Sequence, residues 1–331
     1  MAQFETSFGD IRSLAQRPAD PGTWRLFMSA LERTRLGDAA TSEYAREVAR
    51  RWPDALRVAP AHMVREMESG RAPRWLHLAR AVTLTPETSQ WIGRTALSSF
   101  THLTYDACWG EAEGVVRRVL SASFMRGLRS LTVARAGDGP RVALALGEEP
   151  WPEPLTEVAL RPARLGFLGA QALVEGSGFA RLGALALDDP RCGVAGARLI
   201  LGAHERAPAL RSLSLMGTAG FALGDAGARA LAELAPESLR ELALCRHGIS
   251  DAGASALATS ALAARLERLD LRDNLIGDAG ARALSRALRG GLRLDLSGNR
   301  VGSRGAHALR SSLSGGASVA LERNPVWRSR R

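Results

Sequence analysis

Leu266-Glu-Arg-Leu269-Asp-Leu271-Arg-Asp-Asn274-Leu-Ile-Gly277-Asp-Ala-Gly280-Ala-Arg-Ala-Leu284 decides the fold. The stretch opens with a strand-like L-x-x-L-x-L, passes an Asn and a Gly-bounded turn, and ends in an Ala/Leu-rich helix pattern. Leu269 and Leu271 are two residues apart, so both side chains leave a strand on the same face. The register recurs with starts at Phe100, Leu128, Leu155, Leu182, Leu210, Leu239, Leu266, Gly291 and Gly316, at intervals of 25–29 residues. Each start is followed by an apolar pair in the same place, from Leu103/Tyr105 to Val319/Leu321. A unit of this size cannot bury its apolar face alone, so the period predicts units stacked on a continuous core.

The second half of the unit reads as a helix. Gly224-Asp-Ala-Gly-Ala-Arg-Ala-Leu231 recurs as Gly277–Leu284, with related versions at Ser250–Leu257 and Gly302–Leu309. Asp225, Asp251 and Asp278 fall where an N-cap or first-turn acid is favoured.

These residues resemble the ribonuclease-inhibitor-like class of leucine-rich repeats, which also occurs in Ran-GTPase-activating proteins. The resemblance spans roughly residues 100–324 and is strongest in the last units. It implies an α/β leucine-rich-repeat solenoid, a horseshoe with a parallel concave sheet and convex helices. In that class an Asn three residues past the last strand Leu hydrogen-bonds neighbouring turns. The resemblance therefore implies a structural ladder of Asn274, Asn299 and Asn324, with Cys108 as a family substitute. Ala136, Ala163, Pro190, Thr218 and His247 hold the equivalent place in other units. Ala and Pro cannot make that bond, so the middle units should be less regular.

Residues 1–78 do not follow the period. Trp24, Phe27, Met28 and Leu31 form an amphipathic stripe, and Thr41–Trp52 is a second helix candidate. The segment reads as a small helical N-terminal domain or cap, faintly similar to a helical domain that precedes bacterial leucine-rich repeats. The solenoid then occupies 79–331, with about 8–9 repeats of which the first and last are irregular. Ala81-Val-Thr-Leu84 is a candidate strand of a shortened extra unit.

The chain has 331 residues and a net charge of +10. All 44 basic residues are Arg, scattered except for the tail Arg328-Ser-Arg-Arg331. This composition suggests a GC-rich, bacterial source and dispersed solvating charge, which disfavours nucleic acid as the partner. Cys108, Cys192 and Cys245 do not make a disulfide framework. The first residues lack a secretory pattern, and no apolar run of about 18 residues occurs. A cytoplasmic protein with no membrane span is expected.

No nucleotide-binding, metalloprotease or hydrolase motif is present. Cys245-Arg-His247 is the closest Cys/His pair, and a metal site would need further ligands. Both residues sit just past a strand, where the plainer reading makes them substitutions at variable and ladder positions. Glu148-Glu149 and Asp188-Asp189 read as solvated loop pairs. No catalytic residue, metal or cofactor is assigned, and no enzyme is expected.

The third, fifth and seventh residues of each unit should face the concave side. They are small and neutral at the centre of the sheet. Toward the C-terminus they form a charged patch of Glu241, Arg268, Asp270, Arg272, Arg293 and Asp295. The patch has two readings: an internal lattice with Arg268 and Arg272 paired to Asp270 and Asp295, or a surface that binds a partner. The expected function is a non-catalytic protein–protein interaction scaffold with its partner protein on the concave face; the sequence leaves the oligomeric state open, with a monomer favoured. Alternatives are a regulator of a small GTPase, implied by the resemblance alone, and polyanion or nucleic-acid binding through the Arg-rich surface.

Overall fold

The computed structural model describes residues 8–33, 39–66, 75–91, 98–203, 207–218, 221–288 and 291–325. His204 and the Arg328–Arg331 tail lie outside them. The chain forms two compact units. One holds Met1–Cys108, Arg118–Ala134 and Pro152–Leu155; the other holds Trp109–Arg117, Arg135–Trp151 and Thr156–Arg331.

In the first unit, α1 (Phe8–Ala15), α2 (Pro21–Arg33), α3 (Ala39–Arg50) and α4 (Ala61–Glu66) precede β1 (Ala81–Leu84) and β2 (His102–Asp106). After α5 (Glu113–Ser121) comes β3 (Ser130–Ala134), and the three strands pair in parallel in chain order. Asp20 starts α2 by accepting from the Gly22 and Thr23 N–H groups at 2.7 and 3.0 Å. Trp24, Phe27, Met28 and Leu31 are its buried stripe. The Trp24 ring lies 5.8 Å from Phe27 and 5.4 Å from Trp52, so α2 and the end of α3 share one aromatic cluster. The Trp24 Nε1–H donates to the Val58 carbonyl at 2.8 Å, and Val58 bridges Ala81 in parallel. Buried Arg57 donates through Nε to the Leu78 carbonyl at 2.8 Å and through Nη1 to Asp54 at 3.1 Å. The segment around Val58 thereby covers an edge of β1 that would otherwise expose unpaired backbone groups.

The second unit alternates helix and strand. α6 (Gly139–Glu148), β4 (Glu157–Arg161), α7 (Gly166–Glu175), β5 (Ala184–Asp188), α8 (Gly193–Gly202) and β6 (Ser212–Met216) come first. α9 (Gly224–Leu234), β7 (Glu241–Cys245), α10 (Asp251–Thr259), β8 (Arg268–Asp270), α11 (Asp278–Ser285), β9 (Arg293–Asp295), α12 (Ser303–Ser311) and β10 (Ser318–Ala320) complete it. Consecutive strands pair in parallel in a register that aligns equivalent repeat positions. This is an α/β leucine-rich-repeat solenoid. The inward pairs are buried from Val158/Leu160 to Leu294/Leu296, whereas Val319 on the last strand is only partly covered.

Two columns of polar side chains tie the C-terminal repeats to one another. The first lies behind the strands. Asn274 Oδ1 accepts from the His247 and Ile249 N–H groups, both at 3.0 Å, and Nδ2 donates to the Leu244 and Leu271 carbonyls at 2.8 and 2.9 Å. Asn299 and Asn324 repeat the pattern one and two units on. His247 does the same work one unit earlier. Its Nε2 pairs with the Leu215 carbonyl at 3.0 Å and its Nδ1 with the Leu223 N–H at 3.3 Å, so Nε2 carries the proton. Burial pushes its pKa down to about 4, against a smaller opposing effect of the Leu215 carbonyl, so the ring is neutral.

Cys108 holds the corresponding alignment position in an earlier repeat, but its side chain is not buried as those of Asn274, Asn299 and Asn324 are. It is exposed, with φ at 50°, and its N–H bonds Asp106 Oδ1 at 3.2 Å. Where Pro190 stands in place of the Asn, backbone replaces side chain. The N–H groups of Arg164 and Gly166 donate directly to the carbonyls of Asp189 and Pro190 at 2.9 and 3.1 Å. Asp189 takes a positive φ, as Arg246, Asp273 and Arg323 do at the same place in later repeats, while Arg164 and Arg191 take it two residues further along the turn.

The second column runs along the helix starts. Asp225, Asp251 and Asp278 lie in the first turns of their helices. Their oxygens, however, reach forward to the following helix. Asp251 Oδ1 accepts from the Gly277 and Gly280 N–H groups at 2.7 and 2.8 Å, and Asp278 Oδ1 from Gly302 and Gly305 at 2.7 and 2.9 Å. Each acid thus satisfies the free N–H groups of its neighbour. Close approach requires glycine: a Cβ at Gly280 would stand 2.6 Å from Asp251 Oδ1. In α12 the aspartate position is Ser303.

Replacing Asn299 by Ala strands the Ile276 N–H and removes donors from two buried carbonyls, which should cost at least about 2 kcal/mol in urea unfolding. At Asp225, burial raises the carboxyl pKa, but the Ser250 and Gly253 donors outweigh it and hold the group below the ordinary aspartate range. A depressed folded-state pKa gives stability that is complete above the unfolded value of about 3.9 and lost as pH falls through the folded one. The stability gap between wild type and Asp225→Asn should therefore hold steady above about pH 5 and narrow below about pH 4, read by urea unfolding at each pH.

Candidate interaction surface on the sheet face

Alternation along each strand sends every second side chain away from the core, and the aligned register gathers these side chains into rows across the sheet. The first row contains Ser212, Glu241, Arg268, Arg293 and Ser318 on successive strands. The second begins with Ala159, Ala186, Ser214 and Ala243, which leave a shallow neutral strip, and continues with Asp270 and Asp295. A third, just past the short strands, holds Arg272, Ser297 and Glu322.

The charges organise around Arg272. Its Nε donates to both Asp270 oxygens at 2.9 Å, and its Nη2 lies 2.7 Å from Asp270 Oδ2. Asp295 Oδ2 is 3.7 Å from the same Nε. Burial pushes the Asp270 carboxyl up, but hydrogen bonds from Arg272 and Cys245 dominate and hold it below its ordinary value. The Arg272 guanidinium is held firmly charged by Asp270 in return. Ser297 Oγ donates to Glu322 at 2.6 Å, lowering that carboxyl too. At the turns beyond, Asp273 takes Arg323 at 3.1 Å and Arg246 at 3.5 Å.

Arg268 and Arg293 are outside this lattice. Both are exposed, and among the described residues neither has a carboxylate within salt-bridge distance. Glu241, beside Arg268 in the row, accepts instead from Ser212 Oγ at 3.2 Å. The expected pairing of Arg268 with an aspartate is therefore replaced by pairing through Arg272 alone. Asp270 follows a tight turn to Arg272, whose N–H it also binds at 3.0 Å, and this local geometry settles the choice.

A pocket of about 340 Å³ opens here, lined by Arg268, Asp270, Arg293, Asp295, Ser318 and Glu322 together with intervening backbone. The fold thus brings together five of the six sequence-selected charges, Arg272 joining through its aspartates, and leaves Glu241 one strand away. Ser318 and Glu322, which the same repeat register carries to the sheet face of the last strand, complete the lining.

Cys245 and His247 do not converge. The thiol faces Asp270 and Arg272 on the sheet side, where burial and Asp270 push its pKa up to about 12; the imidazole is in the core. The acidic pairs are not simply solvated. Arg117 binds Glu148 at 2.7 Å and Glu149 at 2.9 Å, and Asp189 is buried beneath Thr218 at 2.8 Å and Arg191 at 3.0 Å. Among the described residues, no group of three or more His, Cys, Asp or Glu side chains could hold a metal ion, and no helix is long and apolar enough to cross a membrane.

Residues 235–258, 266–285 and 292–309 match the leucine-rich-repeat family model. No curated protein matches the chain by sequence. Among solved structures, a protein of Bacteroides fragilis is similar at a TM-score of 0.47 and 13% identity, covering 89% of this chain and 84% of its own. A chain of the yeast Rad7–Elc1 complex gives 0.44 and 14%, with coverages of 82% and 79%. An internalin of Listeria monocytogenes gives 0.39 and 14%, with 74% and 61%.

The two arginines should separate in stability measurements. Arg272→Gln is expected to cost about 0.5–1 kcal/mol, discounted for its exposure, and Arg268→Gln to change stability by less than about 0.5 kcal/mol. Equal losses in denaturant unfolding would place Arg268 in the lattice as well.

Proposed function

We propose that this chain is a non-catalytic interaction scaffold that receives a partner protein on the sheet face of its C-terminal repeats, β7–β10. Leucine-rich repeats typically serve as protein-interaction scaffolds, and the sheet face supplies a pocket on β8–β10, with Ala243 on β7 ending a run of small side chains beside it. The observation that carries the reading is the contrast within one patch. Arg272, Asp270 and Asp295 satisfy one another, while Arg268 and Arg293 are left exposed at the pocket wall. Arginine in such a place suits a partner, because its planar donors bind carboxylates bidentately.

We assign the repeats to the ribonuclease-inhibitor-like subclass and read the first helices as a cap. The Val58 bridge to β1 supports the cap, since terminal units need a cover over the open sheet edge. We place the protein in a reducing compartment such as the cytoplasm, because three cysteines in 331 residues do not make a disulfide framework.

Affinity capture from the native source with mass spectrometry tests the proposal. Wild type is compared with Ala243→Arg, which obstructs the sheet face, and with Arg282→Glu on the exposed side of α11. The first substitution should reduce recovery of the specific partner at least about tenfold and the second should not. Equal recovery with Ala243→Arg would move the interface off the sheet, and a wild type that enriches nothing would remove the scaffold reading.

A further inference from the structure

We infer that Arg268 and Arg293 form a fork for a carboxylate, and that the partner docks through an extended acidic segment that seats a Glu or Asp between the two guanidinium groups. The inference rests on the sheet-face reading above and narrows it to one kind of partner.

The register places Arg268 directly beside Arg293 on adjacent parallel strands, about 4.8 Å apart. Like charges set side by side on one face repel, and folding alone offers no reason to place them there. The neighbouring carboxylates do not relieve the repulsion. Glu241 is turned to Ser212, Asp270 is held by Arg272, and Asp295 leans toward the same guanidinium. The two side chains therefore keep their donors for a ligand. A carboxylate matches them, because its four lone-pair directions can accept from two planar forks at once. The pocket wall they form gives such a side chain a place to enter.

The same pocket disfavours a polyphosphate. Along the strands the arginine row gives way, about 6.6 Å on, to the row of Asp270 and Asp295, with Glu322 beyond. A nucleic-acid backbone that satisfied the arginines would carry its next phosphates onto these acids. A peptide can present one carboxylate to the fork and neutral or basic groups to the acids. The outward positions of β4–β10 also carry no aromatic side chain on which bases could stack.

Fluorescence anisotropy at low salt, with the full chain, tests the inference. The probes are a short labelled Gly/Ser peptide with a central Glu-Gly-Glu, its Gln-Gly-Gln and Lys-Gly-Lys counterparts, and a labelled thymidine oligonucleotide. The Glu peptide should bind at least about tenfold tighter than either counterpart. The double variant Arg268→Gln/Arg293→Gln should lose that preference while its Tm stays level or rises. The helix-face control Arg282→Gln/Arg286→Gln should retain the preference. If the double variant does not fold, Arg293→Lys, which keeps the charge but removes the planar fork, should still weaken the Glu peptide several-fold.

Equal binding of the Glu and Gln peptides, or a preference that survives Arg268→Gln/Arg293→Gln, overturns the inference. An oligonucleotide that binds tighter than the Glu peptide and depends on the same two arginines overturns it in favour of phosphate. Partner capture lost with Ala243→Arg but kept with Arg268→Gln/Arg293→Gln defeats the acidic segment and spares the sheet-face reading. Capture kept by both variants defeats the sheet-face reading itself.

Discussion

Each repeat turns from strand to helix within a few residues, and that turn leaves backbone N–H groups with no partner inside the repeat. The rest of the structure depends on where those groups find acceptors. In the C-terminal repeats the answer is the neighbouring unit. Asn274, Asn299 and Asn324 reach back to the turn before them, while Asp225, Asp251 and Asp278 reach forward to the helix after them. Buried unpaired amides are costly, so these side chains make each unit a condition for the next. The Asn column and the Asp column hold opposite edges of the same repeat, which fixes the spacing and the register together.

A fixed register has a consequence on the opposite side of the sheet. Residues at the same repeat position line up whether or not their charges agree. Aspartate falls beside aspartate and arginine beside arginine in β8 and β9. The molecule resolves the first conflict with Arg272, which spans Asp270 and Asp295, and Ser297 quiets Glu322. The second conflict meets no carboxylate within salt-bridge distance among the described residues, and the proposed acidic segment would relieve it.

The ladder also shows that function at a position belongs to geometry more than to residue type. His247 supplies a donor and an acceptor at the spacing an Asn would, and its burial as a neutral ring is the reason it can. At Pro190 the backbone itself closes the gap, the Asp189 and Pro190 carbonyls accepting from the Arg164 and Gly166 N–H groups. Substitution of the Asn is therefore compatible with a continuous solenoid, provided the turn can change its path.

The repeat period, the inward apolar pairs, the three Asn positions and the alternation that sends Glu241, Arg268, Asp270, Arg293 and Asp295 to the sheet face were all legible in the sequence. They follow from alternation and period, which are local properties of a strand and of a unit of constant length. Side-chain partnership was not legible, because it depends on atoms brought together from different repeats. That Arg272 rather than Arg268 takes the aspartates, that Cys108 is exposed while His247 is buried in the ladder, and that each helix-start Asp serves the next helix were decided only in three dimensions. In each case the physical reason is the same: a charged or polar group takes the partner that the stacked neighbour presents at hydrogen-bond distance, and the chain's order does not say which neighbour that is.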